Sequence, residues 1–138
     1  MIENVFADAS GLIALGNEDD SLHSQAMETL FSIAPFRLIT TDSVISETLT
    51  RLVYDTHHTN AVQFGEMLFS SHNIEIIPCA DTLFKETWSL FKKYADKEFS
   101  FVDCMSFVVM KKQKMKTVLG CDNHFEQMGF ENLLSVHK

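Results

Sequence analysis

The sequence predicts an α/β fold: a three-layer α/β/α sandwich around a central, mainly parallel sheet of four to five strands. Short apolar, β-branched runs alternate along the chain with longer segments whose apolar residues recur at helical spacing, the pattern of strand–helix–strand units. The chain has 138 residues, 46% hydrophobic and 22% charged. That is one domain's worth, residues 1–138, with enough apolar material for a core.

The elements follow in order. Residues 4–7, Asn4-Val5-Phe6-Ala7, form a buried strand ending at Asp8. Ser10 is the candidate cap of a short helix over 11–15. Glu18-Asp19-Asp20 is a polar break. From Ser21, the spacing of Leu22, Ala26, Leu30 and Ile33 gives one helical face, closed by Pro35. Residues 37–41 are a second, β-branched strand, and Asp42 is the expected N-cap of a helix with Ile45, Leu49, Leu52 and Val53 on one stripe. Another helix runs near 60–71, with Ala61, Phe64, Leu68 and Phe69. A third strand, 74–77, stops at Pro78.

Asp81 is the expected cap of a helix whose apolar stripe is Phe84, Trp88, Phe91 and Tyr94/Ala95. Ser100-Phe101-Val102-Asp103 has the form of a capping box and opens a helix from Phe101 to about Lys112. Lys111, Lys112 and Lys114 follow at the end where the helix dipole favours cations. Residues 117–121 are a fourth strand ending at Asp122, and 133–136 a fifth. Trp88 and most of the 12 phenylalanines are expected in the core.

Nineteen acids against 11 bases give a net charge of −8, so bulk charge cannot hold a nucleic acid and any such role needs a local site. No Lys or Arg precedes Arg37, and eight bases fall between Lys85 and Lys116. Most of these are expected on solvated helix faces; the sharper reading is a phosphate-facing rim. Cys79, Cys104 and Cys121 make no C-x-x-C pair and suit a reducing compartment. The apolar stretches are too short for a membrane span, and the first residues lack the positive region of a signal peptide. The expected location is the cytoplasm.

Asp8 and Asp122 stand where apolar strands end; in a parallel sheet both carboxylates open on the same edge. Glu47, about one turn into its helix, and Asp103, in the first turn of another, can gather there too. Four carboxylates so close repel one another, and a divalent cation resolves the repulsion. Oxygen ligands suit Mg²⁺ or Mn²⁺, which can activate water and clamp a phosphodiester, inverting the local field of an acidic chain. Each acid also has a plain structural role: strand end for Asp8, capping box for Asp103, solvated helix for Glu47, turn for Asp122-Asn123.

At these residues the chain resembles the PIN-domain family of metal-dependent ribonucleases over residues 2–137. The matching segments are Phe6-Ala7-Asp8-Ala9-Ser10, Ser46-Glu47-Thr48, Phe99-Ser100-Phe101-Val102-Asp103-Cys104, and Cys121-Asp122-Asn123-His124-Phe125 with Gly129-Phe130. The resemblance implies a PIN-like sandwich and an endoribonuclease hydrolysing RNA phosphodiesters. It implies Asp8, Glu47, Asp103 and Asp122 as catalytic and metal-binding residues, with Ser10 and Ser100 as polar helpers. It also implies a Mg²⁺ or Mn²⁺ cofactor, frequent homodimers, and, for compact bacterial members of this size, the toxin of a toxin–antitoxin module (VapC-like) held silent by an antitoxin protein. Members often add an acid near the third; Asp96 is seven residues earlier, its role open.

Two rivals stand beside this reading. An aspartate-based phosphatase or phosphotransfer domain would use Asp8, but needs a second acid where Ser10 stands and leaves Glu47 unexplained. A non-catalytic PIN-like interaction module would keep the fold alone. A histidine zinc site is disfavoured because His57-His58 are adjacent and point about 100° apart on a helix. His124 is close enough to Asp122 to touch the site, but a surface or capping role is the expected one; Cys104 and Cys121 are expected as small buried filler. Glycine-rich phosphate loops are absent.

Overall fold

The apolar run after Glu3 becomes the middle of a sheet. The computed structural model describes residues 3–136; residues 1, 2, 137 and 138, which the expectations above included, lie outside them. Strands β1 (Glu3–Ala7), β2 (Phe36–Thr41), β3 (Ile74–Ile77), β4 (Thr117–Leu119) and β5 (Glu131–Asn132) pair in the order β3-β2-β1-β4-β5. Every pairing is parallel. Val5, Phe6 and Ala7 are completely buried, as a central strand covered on both faces requires.

Parallel neighbours need crossover connections, and seven helices among the described residues supply them: α1 (Ala9–Gly16), α2 (His23–Ser32), α3 (Asp42–Asp55), α4 (His58–Ser70), α5 (Asp81–Lys93), α6 (Phe101–Lys112) and α7 (Asn123–Gln127). Helices α1 to α4 contact one another as one group, and α5, α6 and α7 as another. Among the described residues no helix is long and apolar enough to cross a membrane. The chain builds outward from β1 through β2 to β3, then returns to the other side of β1 for β4 and β5. Strand order reverses between β1 and β4, and ligands of such sheets bind beyond the carboxyl ends of the strands at that reversal.

Several local expectations are corrected. Asp8 is the N-cap of α1 and Ser10 lies inside the helix. Thr41 caps α3, its hydroxyl accepting the Val44 N–H at 3.1 Å, while Asp42 accepts the Cys79 N–H at 3.0 Å; the carboxylate pins the segment after β3 instead of the helix end. Ala80 caps α5, with Asp81 in its first turn. The fourth strand stops at Leu119, short of the expected 121, and the fifth is Glu131–Asn132, earlier than expected, in register with Thr117 and Val118. Val53 is exposed: α3 buries Val44, Ile45, Thr48 and Leu52, a narrower stripe. The α5 stripe also turns outward. Leu83 and Thr87 are buried, but Phe84, Trp88 and Phe91 are 52%, 49% and 39% exposed, contrary to their expected place in the core.

The α6 capping box forms as expected. At the other end, Lys114 takes φ 57°. The Lys114 N–H donates to the Lys111 carbonyl at 3.2 Å and the Met115 N–H to the Met110 carbonyl at 2.8 Å, a paired closure that turns the chain into β4.

One glycine controls how closely α1 approaches β4. A Cβ on Gly11 would lie 2.0 Å from the Leu119 carbonyl oxygen and 2.7 Å from its carbon. Both are backbone atoms and cannot swing aside. Gly11→Ala must push α1 off the end of β4, and it is expected to destabilise the protein by about 3 kcal/mol, measured by urea unfolding; an unchanged midpoint would show that α1 does not sit this close.

Candidate active site

Four acids reach the carboxyl edge of the sheet by four routes. Asp8 directly follows β1, and its backbone N–H donates to the Leu119 carbonyl at 3.2 Å, extending the β1–β4 ladder by one residue. Asp122 follows β4 and caps α7, its Oδ1 accepting the His124 N–H at 2.9 Å. Asp103 closes the capping box. The Ser100 hydroxyl accepts the Asp103 N–H at 3.0 Å, and Asp103 Oδ2 accepts the Ser100 N–H at 3.0 Å. Glu47 stands on the exposed side of α3.

All four acids, with Ser10 and Ser100, line one cavity of about 300 Å³. A larger cavity, about 760 Å³, lies near the end of α1 between Asn17, His23 and Asn60 and includes none of these acids. The chemistry therefore belongs to the smaller one. Ser10 ties its walls together: its hydroxyl donates to Asp8 Oδ2 at 3.1 Å and accepts the Cys121 N–H at 3.1 Å. Gly120 makes room for this link, since a Cβ there would lie 2.9 Å from the Ser10 hydroxyl and 3.1 Å from the Asp8 Cβ.

The tightest cluster within the cavity includes His124, for which the sequence favours a surface or capping role. Asp103, Asp122 and His124 each offer a ligand atom, all within 4.8 Å of one another, while Asp8 and Glu47 line the walls outside that group. His124 Nδ1 lies 2.8 Å from Asp103 Oδ2 and 3.5 Å from Asp122 Oδ1. A carboxylate only accepts, so Nδ1 carries the proton in that contact. Phe99 packs edge-on against the ring, centroids 5.4 Å apart. His124 is thus a cavity residue, not a surface one; its position two after Asp122 was the available signal. Arg51 and Glu98 also line the cavity. Arg51 is one turn beyond Glu47, a spacing that places both on one helix face. Glu98, not Asp96, is the additional acid facing the cavity.

The expected basic rim does not form as a unit. Lys112 ends α6, about 14 Å along the helix from Asp103, and pairs with Glu86 at 2.9 Å. Lys85 pairs with Asp81 at 3.3 Å.

Electrostatics marks Asp8 as the strained member. Burial pushes its carboxyl up to about 7, and the charges of Asp103 and Asp122 push the same way against hydrogen bonds from Ala9 and Ser10. Glu47 is raised by burial and by Asp103, with Arg51 opposing. Burial lifts the Cys104 thiol to about 11, with help from Asp103, and Cys121 is raised as well. Neither thiol is a nucleophile at neutral pH. An oxygen-rich donor set holding acids that repel one another fits a divalent cation: Asp103 and Asp122 are the closest-set carboxylates, Asp8 lines the same cavity, and His124 holds Asp103 through Nδ1.

A carboxyl raised from 3.8 to about 7 on folding binds protons more tightly in the native state. Its ionisation therefore costs stability progressively as pH climbs from 3.8 to about 7, and the full cost persists above. In cation-free buffer, Asp8→Asn is expected to melt higher than wild type at pH 8, the gap closing as pH falls to 4. A gap independent of pH in differential scanning calorimetry would show that Asp8 is not the strained acid.

The comparisons with known proteins identify the family. The PIN domain model matches residues 5–131. VapC20 of Mycobacterium tuberculosis, described as a 23S rRNA-specific endonuclease, is 30% identical over 126 residues, covering 91% of this chain and 95% of VapC20. The crystal structure of that protein, described as a sarcin-ricin loop cleaving toxin, superposes with a TM-score of 0.84 at 29% identity, covering 91% of this chain and 95% of the other. VapBC2 from Rickettsia felis, crystallised with a DNA fragment from its promoter, matches with a TM-score of 0.66 at 11% identity over 96% of this chain and 97% of its own, a likeness of fold alone. With a parallel sheet that gathers Asp8, Glu47, Asp103 and Asp122 at its carboxyl edge, a family model matched over residues 5–131 and a homologue matched over nearly its whole length, the chain belongs to the PIN-domain family.

Proposed function

We propose that this protein is a divalent-metal-dependent endoribonuclease, hydrolysing RNA phosphodiesters, and the toxin of a type II toxin–antitoxin module. The observation that carries the reading is the convergence of Asp8, Glu47, Asp103 and Asp122, from four separate elements, on one cavity at the strand-order reversal. Homology to VapC20, an RNA endonuclease and toxin by its description, supports the substrate class and the biological setting.

Asp8, Asp103 and Asp122 would hold Mg²⁺ or Mn²⁺, with Glu47 at the wall for a second ion or for the attacking water. A divalent cation bound there supplies water activation and neutralises charge building on the phosphate. The chain's own groups do the positioning. Ser10 fixes one oxygen of Asp8, and the Ser100 N–H and the His124 Nδ1–H both hold Asp103 Oδ2. Arg51, beside Glu47, offers a positive charge to a phosphate entering the cavity. A single-stranded RNA segment passes such a site most easily because its backbone is flexible.

The reading extends to a cytoplasmic location, a homodimer and an antitoxin protein. Apolar side chains exposed on α2 and α4, with Phe31 at 79% and Phe69 at 59%, support a protein partner.

Antitoxin-free protein is expected to cleave RNA with Mn²⁺ and to stop when a chelator is added. Asp8→Asn and Asp103→Asn are each expected to lower the rate at least about a hundredfold while the fold, followed by circular dichroism, persists. RNA left intact by wild-type protein with either Mg²⁺ or Mn²⁺ would favour the non-catalytic module. Mn²⁺ is further expected to raise the melting temperature of wild type and to lose that effect in the Asp103→Asn, Asp122→Asn double variant; an equal rise in both would place the ion elsewhere.

A further inference from the structure

A second cavity, about 310 Å³, lies against the acid site and shares a wall with it. It is lined by Trp88, Phe91 and Lys92 from α5 and by Tyr94, Lys97 and Phe99 beyond it. The segment from Lys97 to Ser100 divides the two cavities by alternation: Glu98 and Ser100 line the acid site, Lys97 and Phe99 the aromatic one. Phe99 in turn meets the ring of His124, whose Nδ1 is on Asp103. The two cavities therefore meet at this one segment, with Phe99 and His124 in contact between them.

The chemistry of the second cavity suits a nucleic-acid strand. Trp88 and Phe91 lie stacked, centroids 6.0 Å apart and planes 25° from parallel, and both present ring surface to solvent. Lys92 Nζ stands 5.8 Å from the Trp88 ring centre and Lys93 Nζ 5.6 Å from that of Tyr94. Exposed aromatic faces interleaved with cations are how single-stranded nucleic acid is held without sequence readout. A surface built to dock another protein would be depleted in lysine at its centre. The placement also gives a use to part of the lysine-rich segment in a chain of net charge −8.

We propose that the Trp88–Phe91–Lys92–Lys97 surface is a base-stacking subsite for the RNA strand next to the scissile phosphate. Trp88 and Phe91 take the base, and Lys92 and Lys97 take the flanking phosphates. This rests on the ribonuclease reading for its substrate, but its test does not require cleavage.

Trp88 is the single tryptophan of the chain and reports directly. In chelator, so that no strand is cut, a short oligouridylate is expected to quench its emission saturably. Trp88→Ala is expected to weaken binding of the same oligonucleotide, carrying a fluorescent label, about tenfold, and Trp88→Phe to retain most of it. Lys92→Gln with Lys97→Gln is expected to flatten the salt dependence of log Kd by roughly 0.7 per lysine. With Mn²⁺, Trp88→Ala should raise KM and leave kcat near wild type. Undiminished binding by Trp88→Ala would overturn the subsite. So would a concentration-dependent dimer, seen by sedimentation, that Trp88→Ala dissociates, since the face would then belong to a second copy of the chain. Quenching without any cleavage would count against the nuclease reading and leave the subsite standing.

Discussion

Asp8 and Asp122 stand beside one another because β1 and β4 are hydrogen-bonded neighbours, and the rest of the site is arranged around that adjacency. The ladder continues one residue past β1 through the Asp8 N–H, Gly11 lets the first turn of α1 lie on the Leu119 carbonyl, and Gly120 leaves space for Ser10. The serine hydroxyl then bridges the two strand ends. Two acids are carried into mutual repulsion by a backbone whose own stability comes from elsewhere, chiefly the buried strand residues Val5, Phe6, Val118 and Leu119.

That separation of tasks explains how the protein can hold Asp8 with a carboxyl raised to about 7. Apolar burial in the sheet and helices outweighs the unfavourable ionisation, and under the proposed function the repulsion in the cavity would favour a cation. The same logic applies to Asp103. Its capping box spends one oxygen on the helix N-terminus and on His124, while among the described residues Oδ1 has no hydrogen bond and faces no competition from the fold.

Acidity of the whole chain and recognition of an anionic polymer are compatible because they operate at different ranges. Exposed charges farther apart than about 8 Å are screened at physiological salt, so a phosphate near the cavity would respond to what lies within a few ångströms: Arg51 and, in the function proposed above, a cation held by the acids. The lysines at the far end of α6 are spent on the helix terminus and on Glu86.

Alternation of strand and helix, the parallel sheet, the capping box at Ser100 and Asp103, and the placement of Asp8 and Asp122 at strand ends were all legible in the residues. Each follows from short-range periodicity or from a local hydrogen bond that the sequence specifies by spacing. Caps were less legible: Thr41 and Asp42 are adjacent candidates, and only the position of Cys79 across the sheet edge, where Asp42 is engaged, decides between them. The role of His124 and the outward turn of Phe84, Trp88 and Phe91 were not legible. Both depend on which faces of α5, α6 and α7 meet, and a helical stripe looks alike whether its partner is the core or another molecule. Sequence alone determined the four acids and the edge of the sheet they reach; tertiary structure decided that Asp103 and Asp122 draw close together with His124 and which aromatic faces remain open, because those outcomes rest on contacts between elements far apart in the chain.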